Sequence, residues 1–363
     1  MKHLKKISQL YKQAQQAKNS FGKPILVQLQ EMWRLSKKPN LLSPSEYYDF
    51  QSAKSEFDKS TLNNFIGYRA YNQYSKLNTS GWHGIANDKI IFHSVMKAAG
   101  FDVPEIYAVY NAHKRPLENA EQLSTPSELH DFLEFRCNFP VIIKPIHGYY
   151  GQGVYLLKGY DADTGLLELA NGQISLSALL SELSHFLDTG LILQEKLSPS
   201  ETVKEIIGNT LSSVRFILLL TEAGPTVQGV SWKIPTGSNI VDNTNGWSNG
   251  NLVACPEIDS GIITQICQGN NGSIVSGITQ HPDTQATLLG QEIPEYKKQM
   301  EFALKAASLF PELRFQGWDI VSTSKGIMAL EVNLVGGSTI YTTQLVSQKG
   351  LLNHNLREAM SKC

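Results

Sequence analysis

The stretch Phe315–Thr339 constrains this chain more than any other, because two apolar runs there are joined by a tight Ser324-Lys325-Gly326 turn. Three-residue hairpin loops commonly place glycine in the left-handed conformation that other residues avoid. With 324–326 as the loop, Thr323 pairs with Ile327, and Asp319 falls opposite Glu331. Side chains alternate along a strand, so Asn333 shares the face of Glu331. Two carboxylates and an amide oxygen then converge on one side of an oily hairpin, an arrangement that a cation must neutralise. Hard oxygen donors of this kind suit Mg²⁺ shared with phosphate oxygens; the competing reading is a half-exposed hairpin with a polar face. Gly336-Gly337-Ser338-Thr339 follows and reads as a small-residue loop that lets a substrate approach backbone amides.

A chain of 363 residues is long enough for two or three lobes with a real core. Its apolar and charged fractions, 41% and 18%, are those of an ordinary soluble globular protein. No apolar run reaches the length of a membrane span, and Ser8 to Lys18 is too polar for a signal peptide. The four cysteines show no metal-ligand spacing and read as free thiols of a reducing cytoplasm. Residues 1–40 hold nine Lys/Arg against one acid, Glu31, leaving 23 basic and 32 acidic side chains in the rest. Such an arm suits a solvated helical face, an anionic membrane or a phosphate-bearing partner. Nucleic acid has little support, since no aromatic-interleaved basic stripe recurs.

Residues 1–80 read as helical, with breaks at Gly22-Lys23-Pro24 and around Pro39 to Pro44. Leu26, Leu29, Met32, Trp33 and Leu35 are expected to form one buried stripe. Asn87-Asp88 caps a helix running to about Ala99, stopped by Gly100. Lys89 in its first turn is mildly unfavourable unless an anion docks there; an exposed lysine is the plain alternative. Lys144 closes the apolar strand 139–145, and the glycines Gly148, Gly151 and Gly153 follow before a second apolar run. Glycines between two strands argue against a dinucleotide fingerprint, and Gly-Lys-Ser/Thr is absent. What remains is a hairpin loop, either ordinary or folded over phosphates above Lys144.

Ser175 caps a core helix, and the strand Leu191–Leu197, carrying Glu195 and Lys196, ends at Ser198-Pro199 as an inter-lobe hinge whose backbone can read an adenine edge. Arg215 and Lys233 are cations inside strands too apolar to want them, so each must meet an acid or an anionic ligand. The Gly/Asn/Ser-rich segment 236–281 reads as long loops over a site. Pro294 starts a helix ending at Pro311, and His281 reads as a loop hydrogen-bonder.

In order, these elements resemble the ATP-grasp superfamily over roughly residues 85 to 345. Gly317-Trp318-Asp319, His281-Pro282-Asp283-Thr284, Ser231–Pro235 and the helical N-terminus resemble its sugar-transfer associated group, often labelled as related to α-L-glutamate ligases. The resemblance implies an α+β fold. Its organisation would be a helical region over 1–84, one grasp lobe over 85–198 and a second over 199–363, with ATP between the lobes. It further implies Lys89 and Lys144 on the phosphates under the glycine loop. Main-chain atoms near Glu195, Lys196 and Leu197 would bind adenine. Lys233 would reach the phosphates, Asp319, Glu331 and Asn333 would hold Mg²⁺, and Arg215 would stabilise developing charge. The implied reaction joins a small-molecule carboxylate to an amine, one of them sugar-linked, through an acyl phosphate; a phosphotransferase or a non-catalytic partner of glycosyltransferases are the alternatives. Glu201 and Glu205 are both candidates for the acid that holds the ribose.

Overall fold

The computed structural model describes residues 2–54, 56–148 and 151–362. Tyr149 and Tyr150 of the glycine loop, and the thiol of Cys363, lie outside them. Cys137, Cys255 and Cys267 are free, as their spacing predicts.

Short alternating runs build the first lobe. Strands β1 (Ile106–Tyr110), β2 (Glu121–Leu123), β3 (Val141–Pro145) and β4 (Tyr155–Leu157) join one sheet. Three short strands, β5 (Gly159–Asp161), β6 (Leu166–Leu169) and β7 (Gly172–Ser175), make a separate small sheet. Strand β8 (Leu191–Glu195) then inserts between β1 and β3, giving the order β2-β1-β8-β3-β4. Along β3, Val141, Ile143 and Pro145 are buried while Ile142 and Lys144 are only half-buried. The period of two thus turns Lys144 to the opposite face from the core.

The second lobe is a seven-stranded antiparallel sheet. It contains β9 (Ser213–Thr221), β10 (Gly224–Ile234), β11 (Leu252–Pro256), β12 (Ile263–Asn270), β13 (Ser273–Ser276), β14 (Phe315–Thr323) and β15 (Gly326–Leu334), in the order β13-β12-β11-β10-β9-β14-β15. The expectation of loops throughout 236–281 is corrected here: 252–276 supplies three strands, and loop remains before Leu252, between the strands and from 277 onward. Leu252 to Pro256 is buried throughout, an apolar run hidden between Asn- and Gly-rich neighbours. Phe216, Trp232, Phe310 and Trp318 fill the core under this sheet. Each fully buried side chain of this size contributes roughly 1.5–3 kcal/mol. Gln316, buried beneath them, donates to the carbonyls of Ala307, Phe310 and Leu313 and accepts from Trp318 Nε1 at 2.6 Å.

The β14–β15 hairpin turns on two residues, Ser324 and Lys325, because Thr323 pairs with Gly326 rather than Ile327. Gly326 has a φ of 115°, a value only glycine adopts readily. A bulge at Leu330 then adds one residue to β15, and Asp319 still faces Glu331. Gly336-Gly337-Ser338-Thr339 is not a loop. Gly336 caps the helix Gly337–Ser347, and a Cβ on Gly337 would fall 2.5 Å from the Tyr68 ring.

The N-terminal region is helical, beginning with α1 (Lys2–Phe21) and α2 (Ile25–Leu35). It rests on the second lobe: Tyr47, Phe50 and Phe65 share a core with Trp247, Cys255, Cys267 and Val346. Gln344 exchanges hydrogen bonds with both main-chain groups of Ile66, and Asn78 does the same with Phe315. The expected stripe on α2 is corrected. Leu35 is fully buried, but Leu26, Leu29 and Trp33 are exposed at 68%, 53% and 69%. The inward face is built instead on Gln28, whose amide is satisfied by the carbonyls of Ala14 and Lys23.

Candidate active site

Strand register assembles the site. Across four neighbouring strands, Ser231 faces Arg215, Arg215 faces Asp319, and Asp319 faces Glu331. Directly opposed residues lie on the same face, so these four make one row. Lys233, two residues beyond Ser231 on β10, joins the same face. Arg215 grips both carboxylate oxygens of Asp319, with Nη2 at 2.6 Å from Oδ2, and Lys233 Nζ donates to Oδ2 at 3.1 Å. Lys233 also lies 3.4 Å from Asp242, which accepts from Ser213 N and Oγ. Burial opposes the charge on Asp319, yet Arg215 and Lys233 hold its carboxyl well below the usual range. Burial likewise opposes the charge on Lys233, but Asp242 and Asp319 raise its pKa.

The first lobe offers the opposite arrangement. Among the described residues Lys89 Nζ donates to backbone alone, to the carbonyls of Gly148 at 3.2 Å and Ile146 at 3.4 Å. Among the described residues, neither Lys89 nor Lys144 is in a salt bridge. Desolvation, then the nearby Lys89 charge, pushes Lys144 down to about 8, with Glu331 opposing. Burial lowers Lys89 as well. Asp88 fixes this corner: it caps the helix Lys89–Ala98 through the amides of Ile90 and Ile91, and it takes Arg115 at 2.6 Å and His147 at 3.0 Å. That helix straddles the lobes, with Ile90 packed among first-lobe strands and Phe92 and Met96 in the second-lobe core.

Between the lobes lies a cavity of about 500 Å³. Lys89, Lys144, Gly148 and Gly151 line it from the first lobe, and Lys233, Asp319 and Glu331 from the second. Pro104, Ile142, Val154, Leu156, Leu197 and Leu330 make its apolar walls. Gly151 and Gly153 have φ of 73° and 69° in the loop above Lys144. A Cβ on Gly153 would meet Pro145 at 2.9 Å, so the loop needs glycine there. Glu195, Lys196 and Leu197 line the hinge end. The Glu195 side chain is structural: it accepts from Glu105 N at 2.9 Å and pairs with Lys325 of the hairpin turn. Its own amide donates to Glu105 O, and Lys196 and Leu197 line the cavity beside it.

A second cavity of about 750 Å³ adjoins the first. Gln152, Lys233, Asn243 and Glu331 belong to the walls of both. Its remaining walls come from Arg215, Asn333, the loop around Trp247, the start of the helix Gly337–Ser347, and Tyr71 of the N-terminal region. Arg215 Nη1 also donates to Thr339 at 3.3 Å, tying the row to that helix.

The donor chemistry fits Mg²⁺. Asp319 Oδ2 is filled by Arg215 and Lys233, but Oδ1 accepts from Arg215 Nε alone among the described residues and keeps a second lone pair. Asn333 Nδ2 donates to Glu331 at 3.1 Å, and the remaining carboxylate and amide oxygens are hard donors. Among the described residues no group of three His, Cys, Asp or Glu side chains is placed to hold a metal, so Asn333 is needed to complete the set. Glu201 and Glu205 are exposed on the helix Glu201–Ile207 and do not line the cavity; Asn209 and Thr210 stand there instead. The loop holding Asp242 and Asn243 lies over the site as expected, but sequence reading assigned neither residue a role there, because the loop carries no periodic signal. His281 is a loop hydrogen-bonder as expected, 3.1 Å from Pro235 O.

The sugar-transfer associated ATP-grasp family matches the chain over residues 68–359. No curated protein matches the sequence. Among solved structures, N5-carboxyaminoimidazole synthase from Aspergillus clavatus is similar at 12% identity and a TM-score of 0.40, covering 82% of this chain and 58% of its own. The ADP complex of N5-carboxyaminoimidazole ribonucleotide synthetase gives 15%, 0.43, 82% and 59%. D-Ala:D-Ser ligase from Enterococcus faecalis gives 14%, 0.42, 78% and 64%. The chain thus spans less than two thirds of the length of each of these proteins.

Proposed function

The chain belongs to the sugar-transfer associated ATP-grasp family, and from that premise we propose that it is an ATP-dependent carboxylate–amine ligase. The observation that carries this reading is the meeting of two cavities at Lys233 and Glu331. A nucleotide in the first cavity then presents its terminal phosphate to an acceptor in the second.

The apolar walls around Ile142, Leu156, Leu197 and Leu330 sandwich the base, and the backbone of Lys196 and Leu197 reads its edge. Lys89 and Lys144 supply two charges that have no acidic partner of their own among the described residues, and the loop of Gly148, Gly151 and Gly153 covers the phosphates. Asp319, Glu331 and Asn333 would hold Mg²⁺, which draws charge from the phosphate oxygens when bound. A substrate carboxylate oxygen attacks the γ-phosphorus as the bond to the β-phosphate oxygen breaks, giving an acyl phosphate and ADP. An amine nitrogen then attacks the acyl carbon, the carbon–oxygen bond breaks, phosphate leaves, and the nitrogen loses a proton. Arg215 and Lys233 face the junction and stabilise the negative charge that develops there. The chain supplies positioning and charge, and no protein nucleophile is required.

The lining of the second cavity supports a sugar-linked substrate. Tyr71, Trp247 and Tyr341 offer aromatic faces, while Asn243, Thr342 and Ser231 offer neutral hydrogen-bonding groups. The helix Gly337–Ser347 begins at the same wall and favours a carboxylate there. Dependence on ATP supports a cytoplasmic setting for the reaction. The test is ADP release with Mg²⁺ across pairs of carboxylic acids and amines, sugar acids and amino sugars included. ADP release requiring both partners, with an amide product, is expected; release with a hydroxyl acceptor and no carboxylic acid would overturn the ligase assignment.

A further inference from the structure

The outer face of α2 is apolar where a solvated helix would be polar. Leu26, Leu29 and Trp33 recur at three- and four-residue steps, on the side turned away from buried Gln28 and Leu35. On α1, Ile7 and Tyr11 are exposed at 64% and 60%. Cations accompany these side chains. Lys12, Lys18, Lys37 and Lys38 are exposed, and Lys37 Nζ sits 5.1 Å over the Trp33 ring. The single acid of this region, Glu31, is already engaged by Lys23 at 3.1 Å and by the Tyr47 hydroxyl.

We infer that the outer face of α2 docks onto an anionic lipid surface. Charge complementarity selects the occupant. The apolar side chains need a low-polarity layer, and the surrounding lysines need dense negative charge just outside it; the acyl–headgroup boundary of an anionic bilayer provides both. Exposed Trp and Lys suit that boundary because each pairs an apolar body with a polar end. Among the described residues no helix is long and apolar enough to cross a membrane, so the contact is one of lying on the surface.

The test is cosedimentation of the full chain with phosphatidylcholine vesicles, with and without phosphatidylglycerol, at low and high salt. The wild type is compared with a Leu26→Ser/Leu29→Ser/Trp33→Ser variant, a Lys37→Glu/Lys38→Glu variant and, for fluorescence, Trp33→Phe. The substituted side chains are exposed, and unchanged circular-dichroism melts confirm that the variants fold. Binding to phosphatidylglycerol vesicles is expected to weaken about tenfold or more in each variant and at high salt. Trp33 emission should shift to the blue on those vesicles, a change absent from Trp33→Phe. Binding that ignores headgroup charge, or that survives the apolar substitutions, overturns the inference. So does a salt-independent dimer, dissolved by the serine variant and indifferent to vesicles, which would assign the face to a second copy of the chain.

Discussion

The two lobes present their cations to the cleft in opposite states. In the second lobe Arg215 and Lys233 are neutralised in advance by Asp319 and Asp242, locked by strand register into one row. In the first lobe Lys89 and Lys144 face the same cavity with no acidic partner among the described residues. A paired buried charge belongs to the fold, because removing its partner strands an ion in low dielectric. An unpaired one is a standing cost that only a ligand repays. Among the cations, the paired ones therefore answer first for stability and the unpaired ones for affinity.

The strongest way to break this contrast is Asp319→Asn, which leaves Arg215 and Lys233 without their shared carboxylate. Unfolding free energy from denaturant titration should fall by roughly 3–5 kcal/mol; a loss within about 0.5 kcal/mol, the level of an ordinary surface change, would refute the structural role. Lys89→Met and Lys144→Met should do the reverse. Their melting temperatures should hold or rise as like-charge repulsion is relieved, while ATP affinity drops by about 1.5–3 kcal/mol each in calorimetry. Destabilised variants with unchanged affinity would invert the assignment.

A pH titration sharpens the same point. Free Lys144 titrates at about 8, and anionic phosphates favour its charged form. ATP affinity should stay level below pH 8 and weaken as pH rises through it, by up to about tenfold per unit. Binding near pH 8 should take up a proton, detectable as a buffer-dependent heat. Lys144→Arg, charged throughout, should flatten the profile; an unaltered profile would contradict the assignment to Lys144. The smallest effect belongs to Lys325→Ala at the hairpin turn. That side chain is 58% exposed although its partner Glu195 is buried, so the pair should contribute under about 1 kcal/mol to stability.

Much of this was legible in the sequence, for reasons that also mark the limits. The facing of Asp319 and Glu331 follows from hairpin logic, yet it survives by compensation. The turn is one residue shorter than expected, and the bulge at Leu330 restores the register. Neither change alters the apolar pattern from which register is read. Lys144 was visible as a cation closing an apolar strand, and the period of two turns it away from the core. The stripe on α2 failed because periodicity tells which residues share a face and not which face is covered; Gln28 points inward since its amide finds carbonyl partners there. Strands β11 to β13 were hidden by their Asn- and Gly-rich surroundings. Asn209, Thr210 and Asp242 reach the cavity from irregular segments, whose course depends on tertiary contacts.

The central claim is that the cleft holds a nucleotide whose phosphates meet the acidic row at Glu331. Calorimetric titration of ATP, with and without Mg²⁺, on the wild type and on Glu331→Gln tests it most directly. Binding that requires Mg²⁺ in the wild type and is lost in the variant is the predicted result. Binding of equal strength in all four titrations would contradict it.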